Sequence, residues 1–284
     1  MRRAVIDREI TLDTFIYPMS FLFGLLFGSF GNVVIWRLPR GESLSVPASH
    51  CPICEAPIAW YDNVPVVSWC LLRGRCRSCK APISARYPAV ELLSGVLWLA
   101  AVVRFGFTPQ AAACIFFFYL LLLLAFIDLD TMRLPNTLVG VLAVAGVAGV
   151  ALTQLTGVPL VPLMPLGTGV LATPAMFSLV GALVSAGFVA VIAVAYTRIR
   201  GVQGFGMGDI KLLVVIGLFL GPYGLLVLFL GSVLGTAYGV VASRRGTDGL
   251  RHKFPFGPFL ALAAVLVTLF GVQMFAWYMG LLAL

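Results

Sequence analysis

Residues 110–130 read QAAACIFFFYLLLLLAFIDLD, an apolar run that carries no charge until it ends in Asp128 and Asp130. A transmembrane helix needs about 20 apolar residues, so this run is long enough to cross the hydrocarbon core. Seven similar runs accompany it along the chain. The spans are roughly 15–36, 88–105, 110–127, 134–156, 175–197, 210–221, 223–242 and 256–280. The sequence therefore predicts an all-α polytopic membrane protein with about eight transmembrane helices.

The overall composition agrees with a protein whose solvent is the lipid bilayer. Of the 284 residues, 61% are hydrophobic and 11% are charged, which differs from the balance of an ordinary soluble domain. Residues 208–242 are short for two crossings, but Gly221, Pro222 and Gly224 predict a tight turn in the middle of this segment. We expect two spans there, and a re-entrant hairpin is the alternative.

The net charge of +8 is distributed in a way that indicates membrane topology. If the loop after the first span is cytoplasmic, then 15 of the 19 Lys and Arg residues lie on the cytoplasmic side. They are Arg37, Arg40, Arg73, Arg75, Arg77, Lys80, Arg86, Arg133, Arg198, Arg200, Lys211, Arg244, Arg245, Arg251 and Lys253, against Arg2, Arg3, Arg8 and Arg104 opposite. The positive-inside rule favours this orientation and places both termini outside the cytoplasm. We expect these residues to contact anionic headgroups, and we expect no nucleic-acid partner.

A polar segment at 37–87 separates the first two spans and contains five of the six cysteines. Cys51 and Cys54 form one Cys-x-x-Cys pair, and Cys76 and Cys79 form another after 21 intervening residues. Two such pairs offer four thiolates to a tetrahedral zinc ion. Disulfides are the alternative, but persistent disulfides are rare in the reducing cytoplasm. The sequence predicts a small cytoplasmic zinc module, in which four cysteine ligands leave no position for water and make the zinc structural.

Four acidic residues lie within or at the ends of apolar spans: Glu91, Asp128, Asp130 and Asp209. An ionisable group at such a position costs at least a few kcal/mol, so each is a candidate for function. By the topology above, Asp128 and Asp209 lie at the same cytoplasmic membrane surface. Two aspartates that share a proton can activate a water with one carboxylate and protonate the leaving group with the other. This pair therefore predicts an aspartyl peptidase.

Structural roles for the same acidic residues remain open alternatives. The aspartates would then cap helix N-termini or pair with Arg133 and Lys211, and this interpretation is favoured for Asp130. For Glu91, a role at the start of a helix and a functional role are equally supported. The glycines of Gly206-Met207-Gly208-Asp209 either remove side-chain bulk or allow a positive φ.

Taken together and in order, these motifs resemble those of the type IV prepilin leader peptidases, bacterial inner-membrane aspartyl proteases of the Gly-x-Gly-Asp type. The matching stretches are 28–34 with 37–39, the two cysteine pairs, 60–65, 84–88 with Glu91, 128–130 with 134–136, 206–211 and 254–258. By motif position, the resemblance carries the catalytic roles to Asp128 and Asp209. The chain departs from the pattern at Asn136, where some relatives have Asp, and at Gly31, where a larger residue is frequent.

The resemblance implies cleavage of the short basic leader of prepilins and pseudopilins at a Gly to Phe-like junction on the cytoplasmic side. It also implies N-methylation of the new N-terminal residue with S-adenosylmethionine, although no strand, glycine-rich turn and helix in the sequence predict a site for that cofactor. We expect three parts: an N-terminal segment with the first span at 1–36, the zinc module at 37–87, and a transmembrane peptidase domain at 88–284. The alternatives are a peptidase without methyltransferase activity, a proton-coupled transporter, and a membrane-tethered zinc adaptor.

Overall fold

The computed structural model describes residues 2–160, 170–201, 206–243 and 254–282, with the side chains of 2–13, 170 and 282 left aside. Four of the basic residues predicted to be cytoplasmic lie outside the described residues: Arg244, Arg245, Arg251 and Lys253. The chain divides into two compact units, Met1–Thr108 and Pro109–Leu284.

The first unit combines two long helices with the cysteine-rich segment between them. Its helices are α1 (Arg2–Arg37), the short α2 (Val67–Leu71) and α3 (Arg86–Phe105), with 3-10 turns at Leu38–Arg40 and Trp60–Asn63. Helices α1 and α3 pack along each other so closely that a Cβ on Gly28 would lie 2.6 Å from the Cα of Glu91. Small residues permit this kind of close helix packing in membranes, where lipid supplies no hydrophobic drive for association.

The second unit contains the remaining helices. They are α4 (Pro109–Thr131), α5 (Asn136–Thr156), α6 (Pro174–Arg200), α7 (Met207–Leu220), α8 (Gly224–Ser243) and α9 (Gly257–Leu282). The described residues of both units form no β-strand. The prediction of an all-α fold is therefore confirmed.

Seven segments of the described chain are long and apolar enough to cross a membrane. The sixth segment, Met207–Ser243, consists of α7 and α8, which a 3-10 turn at Gly221–Tyr223 separates. Both helices predicted in this segment are therefore present. Because α7 has only 14 residues, it extends about 21 Å and is shorter than the hydrocarbon core of about 30 Å.

The core of the second unit positions the end of α4 and the start of α7. Helix α4 packs against α5 and α9, while α7 packs against α5, α6 and α9. The fully buried ring of Phe117 on α4 stacks on Phe219 of α7 at a centroid distance of 4.5 Å. Helices α6 and α7 approach through glycines, since a Cβ on Gly217 would lie 2.5 Å from the carbonyl oxygen of Gly181, and one on Gly181 would overlap the backbone of Gly221.

Replacement of Gly181 by alanine should lower the free energy of unfolding by about 1–3 kcal/mol, because the added methyl group forces α6 away from the turn that follows α7. Chemical unfolding of the purified protein in detergent, followed by tryptophan fluorescence, measures this change. Gly187→Ala in the same helix is the matched control, since a Cβ at Gly187 meets nothing within 4 Å. The control should be neutral or stabilising by up to about 1 kcal/mol. Equal destabilisation by both variants would contradict the packing argument.

Candidate active site and metal site

The four cysteines of the two Cys-x-x-Cys pairs come together in the first unit. The Sγ atoms of Cys51, Cys54, Cys76 and Cys79 all lie within 4.8 Å of one another, and those of Cys51 and Cys79 are 3.8 Å apart. A tetrahedral zinc with Zn–S bonds of about 2.3 Å requires sulfur atoms about 3.8 Å apart. The geometry of the cluster therefore fits a metal ion.

The two cysteine pairs share one backbone structure. In each, the first cysteine donates its N–H to the carbonyl of the residue five positions later, and the residue four positions later donates its N–H to the cysteine carbonyl. That latter residue is Glu55 or Lys80, and both have a positive φ, of 56° and 62°. The sequence contains the signal for this duplication, Cys-x-x-Cys-x-Ala-Pro-Ile at 51–58 and again at 76–83, which the spacing of the cysteines alone does not reveal.

Backbone amides prepare the first cysteine of each pair for metal binding. Hydrogen bonds from the amides of Cys54 and Ile53 lower the pKa of the Cys51 thiol to about 6. The amides of Cys79 and Ser78 lower the pKa of Cys76 in the same way. Since the thiolate is the form that binds a metal, this arrangement favours the ligand state of Cys51 and Cys76.

An ion pair connects the 3-10 turn Trp60–Asn63 to the second cysteine pair. Arg77, which lies between Cys76 and Cys79, donates from Nε and Nη2 to the two carboxylate oxygens of Asp62 at 2.7 and 2.6 Å. The Arg77 guanidinium holds the pKa of Asp62 below its usual value. The planar geometry of such a two-point contact orients both partners, so it fixes the turn relative to the cluster.

Glu91 connects α3 to the cysteine-rich segment through a hydrogen bond. Its buried carboxylate accepts the N–H of Val66 at 2.7 Å and a hydrogen bond from Ser29. Val66 precedes α2 with a φ of 61°, so this contact holds an unfavourable backbone conformation at the start of that helix. The interpretation of Glu91 as a residue at the start of α3 is wrong, because α3 begins five residues earlier, at Arg86.

Asp128 lies near the C-terminal end of α4 and is only 5% exposed. Its Oδ2 atom accepts a hydrogen bond of 2.9 Å from the N–H of Gly257, the first residue of α9. Asp130 is exposed and lies in the last turn of the same helix. Neither aspartate is at a helix N-terminus, so the N-terminal capping alternative is wrong for both.

Asp209 lies in the first turn of α7, after an N-cap at Gly206 that makes no side-chain hydrogen bond. Gly206 has a φ of −70°, so the glycine is not required for a positive φ. A Cβ at Gly206 would lie 2.9 Å from the Oδ2 atom of Asp209, so a side chain at this position would displace the carboxylate. Asp209 lies close enough to Asp128 for the two carboxyl groups to interact electrostatically, although the two residues are 81 positions apart in the sequence.

Lys211 does not form the predicted ion pair with an aspartate. Its Nζ atom donates to Oδ1 of Asn136 at 3.0 Å, instead of pairing with Asp209. This hydrogen bond joins the first turn of α7 to the first residue of α5. The departure at Asn136 from the pattern of some relatives therefore preserves an oxygen acceptor for Lys211.

The fold and site define a multi-pass membrane protein with two interacting aspartates at helix ends and a separate four-cysteine cluster. Comparison with protein families gives two matches. Residues 22–105 match the Bacterial Peptidase A24 N-terminal domain, and residues 115–240 match the Type IV leader peptidase family. The chain belongs to the type IV leader peptidase family.

Curated relatives cover nearly the whole chain. A prepilin leader peptidase/N-methyltransferase of Aeromonas hydrophila is 35% identical over 93% of this chain and 93% of its own. A protein of the same name from Burkholderia pseudomallei (strain K96243) is 34% identical over 90% and 86%. The type 4 prepilin-like proteins leader peptide-processing enzyme of Escherichia coli O78:H11 is 36% identical over 85% and 89%. No solved structure matches the chain significantly.

Proposed function

We propose that this protein is a membrane aspartyl endopeptidase that removes the leader peptide from type IV prepilins and pseudopilins. The observation that carries the proposal is the interacting pair Asp128 and Asp209, which lies on two helices of a chain that belongs to the leader peptidase family. The relatives named as prepilin leader peptidases support the choice of substrate.

The chemistry needs no group beyond the two carboxylates and a water molecule. Two close carboxylates share one proton, so one member is a base and the other an acid at the same time. The base removes a proton from water as its oxygen attacks the scissile carbonyl, and the acid protonates the carbonyl oxygen. Collapse of the resulting diol breaks the C–N bond, and the proton taken from water passes to the leaving nitrogen.

We also propose that the protein N-methylates the new N-terminal residue, as the names of its relatives support. S-adenosylmethionine would supply the methyl group. The described part of the first unit contains no strand that leads into a glycine-rich turn and a helix. Its residues therefore do not fit the doubly wound type of nucleotide site, and we assign none of them to the cofactor.

We propose that the four-cysteine cluster binds structural zinc and that residues 37–87 form a cytoplasmic module, between the N-terminal part at 1–36 and the peptidase domain at 88–284. Four thiolates suit zinc, and they leave no open position at which a water could be activated. A segment of this size has little core of its own, so the metal would supply much of its folding free energy.

The distribution of basic residues supports an inner-membrane location with the cysteine cluster and the aspartate pair at the cytoplasmic face. A reporter enzyme fused after Arg77 should be active only in the cytoplasm, and one fused at the C-terminus only on the opposite side. Fusions in living cells measure this topology. A cytoplasmic C-terminus would contradict it and would indicate that the segment Met207–Ser243 crosses the membrane once instead of twice.

Purified protein should contain about one zinc ion per chain, and Cys51→Ser or Cys76→Ser should release it, because either change removes one of four ligands. Metal analysis by mass spectrometry of protein prepared without chelators measures the content. Cys70→Ser is the matched control, since Cys70 lies in the same segment but outside the cluster. Zinc-free parent protein, or equal loss in the Cys70 variant, would refute the assignment.

Asp128→Asn and Asp209→Asn should each reduce prepilin cleavage by a factor of at least about 1,000, because either amide removes the acid or the base of one coupled unit. Zinc content and folding should be unchanged. Cleavage of a purified prepilin in detergent, followed by mass determination of the mature N-terminus, measures both cleavage and methylation. Cys51→Ser should affect methylation more than cleavage.

Asp130→Asn is the control for the pair, because Asp130 lies two residues from Asp128 on the same helix but is exposed. It should retain most of the cleavage activity. Substantial cleavage by either variant of the pair would remove the aspartyl mechanism. An inactive parent protein would instead favour the proton-coupled transporter, which also needs carboxylates in its spans.

A further inference from the structure

The two aspartates of the pair differ in their hydrogen bonds. Asp128 accepts the N–H of Gly257 at 2.9 Å, whereas no described residue donates a hydrogen bond to the carboxylate of Asp209. A hydrogen bond to the ionised form of a carboxylate favours that form. The surroundings therefore distinguish two residues that the sequence presents as equivalent.

We propose that Gly257 is a positioning residue of the peptidase, whose N–H keeps Asp128 as the ionised member of the pair and leaves the shared proton on Asp209. The inference rests on the proposed function. It assigns the removal of a proton from water to Asp128 and the protonation of the scissile carbonyl oxygen to Asp209. When the C–N bond breaks, Asp128 gives its proton to the leaving nitrogen and Asp209 recovers one from the diol, so the pair returns to its starting state.

The N–H of Gly257 is available because it belongs to the first turn of α9, where the amides have no acceptor within the helix. Pro258 follows and has no N–H, and the N–H of Phe259 donates to the carbonyl of Phe256. The first residue of α9 thus carries the amide that faces Asp128. The positive end of the helix dipole adds to the stabilisation of a negative charge there.

Aromatic contacts fix the start of α9 against α8. The rings of Tyr238, Phe254 and Phe259 lie 5.4–6.1 Å apart in three pairwise contacts. A Cβ on Gly235 of α8 would lie 3.4 Å from the ring of Phe256. Because these contacts flank Gly257 on both sides, they fix the orientation of its N–H toward Asp128 before any substrate binds.

A glycine at this position leaves room for the side chain of Asp128. A Cβ on Gly257 would lie 2.7 Å from Oδ2 of Asp128, closer than Cβ atoms are found to other atoms. A larger residue would push the carboxylate away from the amide. The glycine in Phe254-Pro255-Phe256-Gly257-Pro258 therefore lets the helix start approach Asp128 closely enough for a hydrogen bond.

Few other charges act on Asp128 from the packed helices. The described parts of α5 and α9 carry no charged side chain. Helix α7 contributes Asp209 and also Lys211, whose amine is bound to Asn136. On α4 itself, Asp130 is exposed two residues away. The Gly257 amide is therefore the group that distinguishes the two members of the pair.

The sharpest test replaces the amide between Phe256 and Gly257 by an ester, through incorporation of glycolic acid at position 257, which removes the N–H and adds no side chain. We expect kcat for prepilin cleavage to fall about 10-fold with KM changed less than about twofold, as for loss of one hydrogen bond to a charged group. The acidic limb of the pH dependence of kcat should move up by about one pH unit, because Asp128 then holds its proton to a higher pH.

An ester between Pro258 and Phe259 is the matched control, because it removes an N–H of the same helix turn that donates to Phe256 instead of Asp128. It should leave the pH dependence unchanged. Comparison of Gly257→Pro with Gly257→Ala tests the same N–H in expressed protein. Both variants add a Cβ, but only proline removes the N–H, and the first position of a helix tolerates proline. Thermal unfolding of each variant separates loss of fold from loss of positioning.

A parental kcat and pH dependence in the Gly257 ester would overturn the inference. So would an equal shift in the Phe259 ester, which would indicate a general effect on α9. If the inference fails while Asp128→Asn and Asp209→Asn are inactive, the peptidase proposal stands without this role for Gly257. If those two variants still cleave prepilin, the proposed function itself fails.

Discussion

A carboxyl group buried among membrane helices needs a polar partner in the protein, because hydrocarbon offers no water to solvate it. Asp128 meets this constraint by accepting a hydrogen bond from the N–H of Gly257. This N–H lies in the first turn of α9, where backbone amides have no acceptor within their own helix. The end of α4 must therefore lie against the start of α9, and Gly257 must be small enough to permit the contact. Asp209 lies in the first turn of α7, near Asp128. The end of α4 and the starts of α7 and α9 therefore meet at one site.

Helix ends converge in this way only if the helices themselves pack closely. Glycines on α6 and α7 let their backbones approach to contact distance, and Phe117 stacks on Phe219 between α4 and α7. The hydrogen bond from Lys211 to Asn136 joins the start of α7 to the start of α5. The position of Asp209 therefore depends on packing along the whole length of a short helix, and not only on the residues beside it.

Hydropathy predicted the class of fold because each crossing needs a long apolar run, and a run such as 110–127 leaves few alternatives. The four cysteines were predicted from spacing, since thiolates at that spacing reach one tetrahedral ion. The hydrogen bond from Gly257 to Asp128 could not be predicted in this way. It joins residues 129 positions apart, and no periodic pattern encodes which helix ends meet. The role of Glu91 was missed for the same reason, because its partner Val66 lies in an irregular segment 25 residues earlier.

The distinction between Asp128 and Asp130 shows what packing adds to an apolar sequence. Residues two positions apart on a helix point about 200° away from each other, so the two carboxylates face opposite sides of α4. Asp128 continues a fully buried row of Phe117, Leu121 and Leu124, which recur at helical spacing along one face. The sequence does not predict which face of α4 is buried, because α4 is apolar on all sides and has no polar face that would mark the exposed one. Since catalysis needs a partly dry carboxylate next to its partner, the buried face of α4 favours Asp128 for the catalytic role over its exposed neighbour.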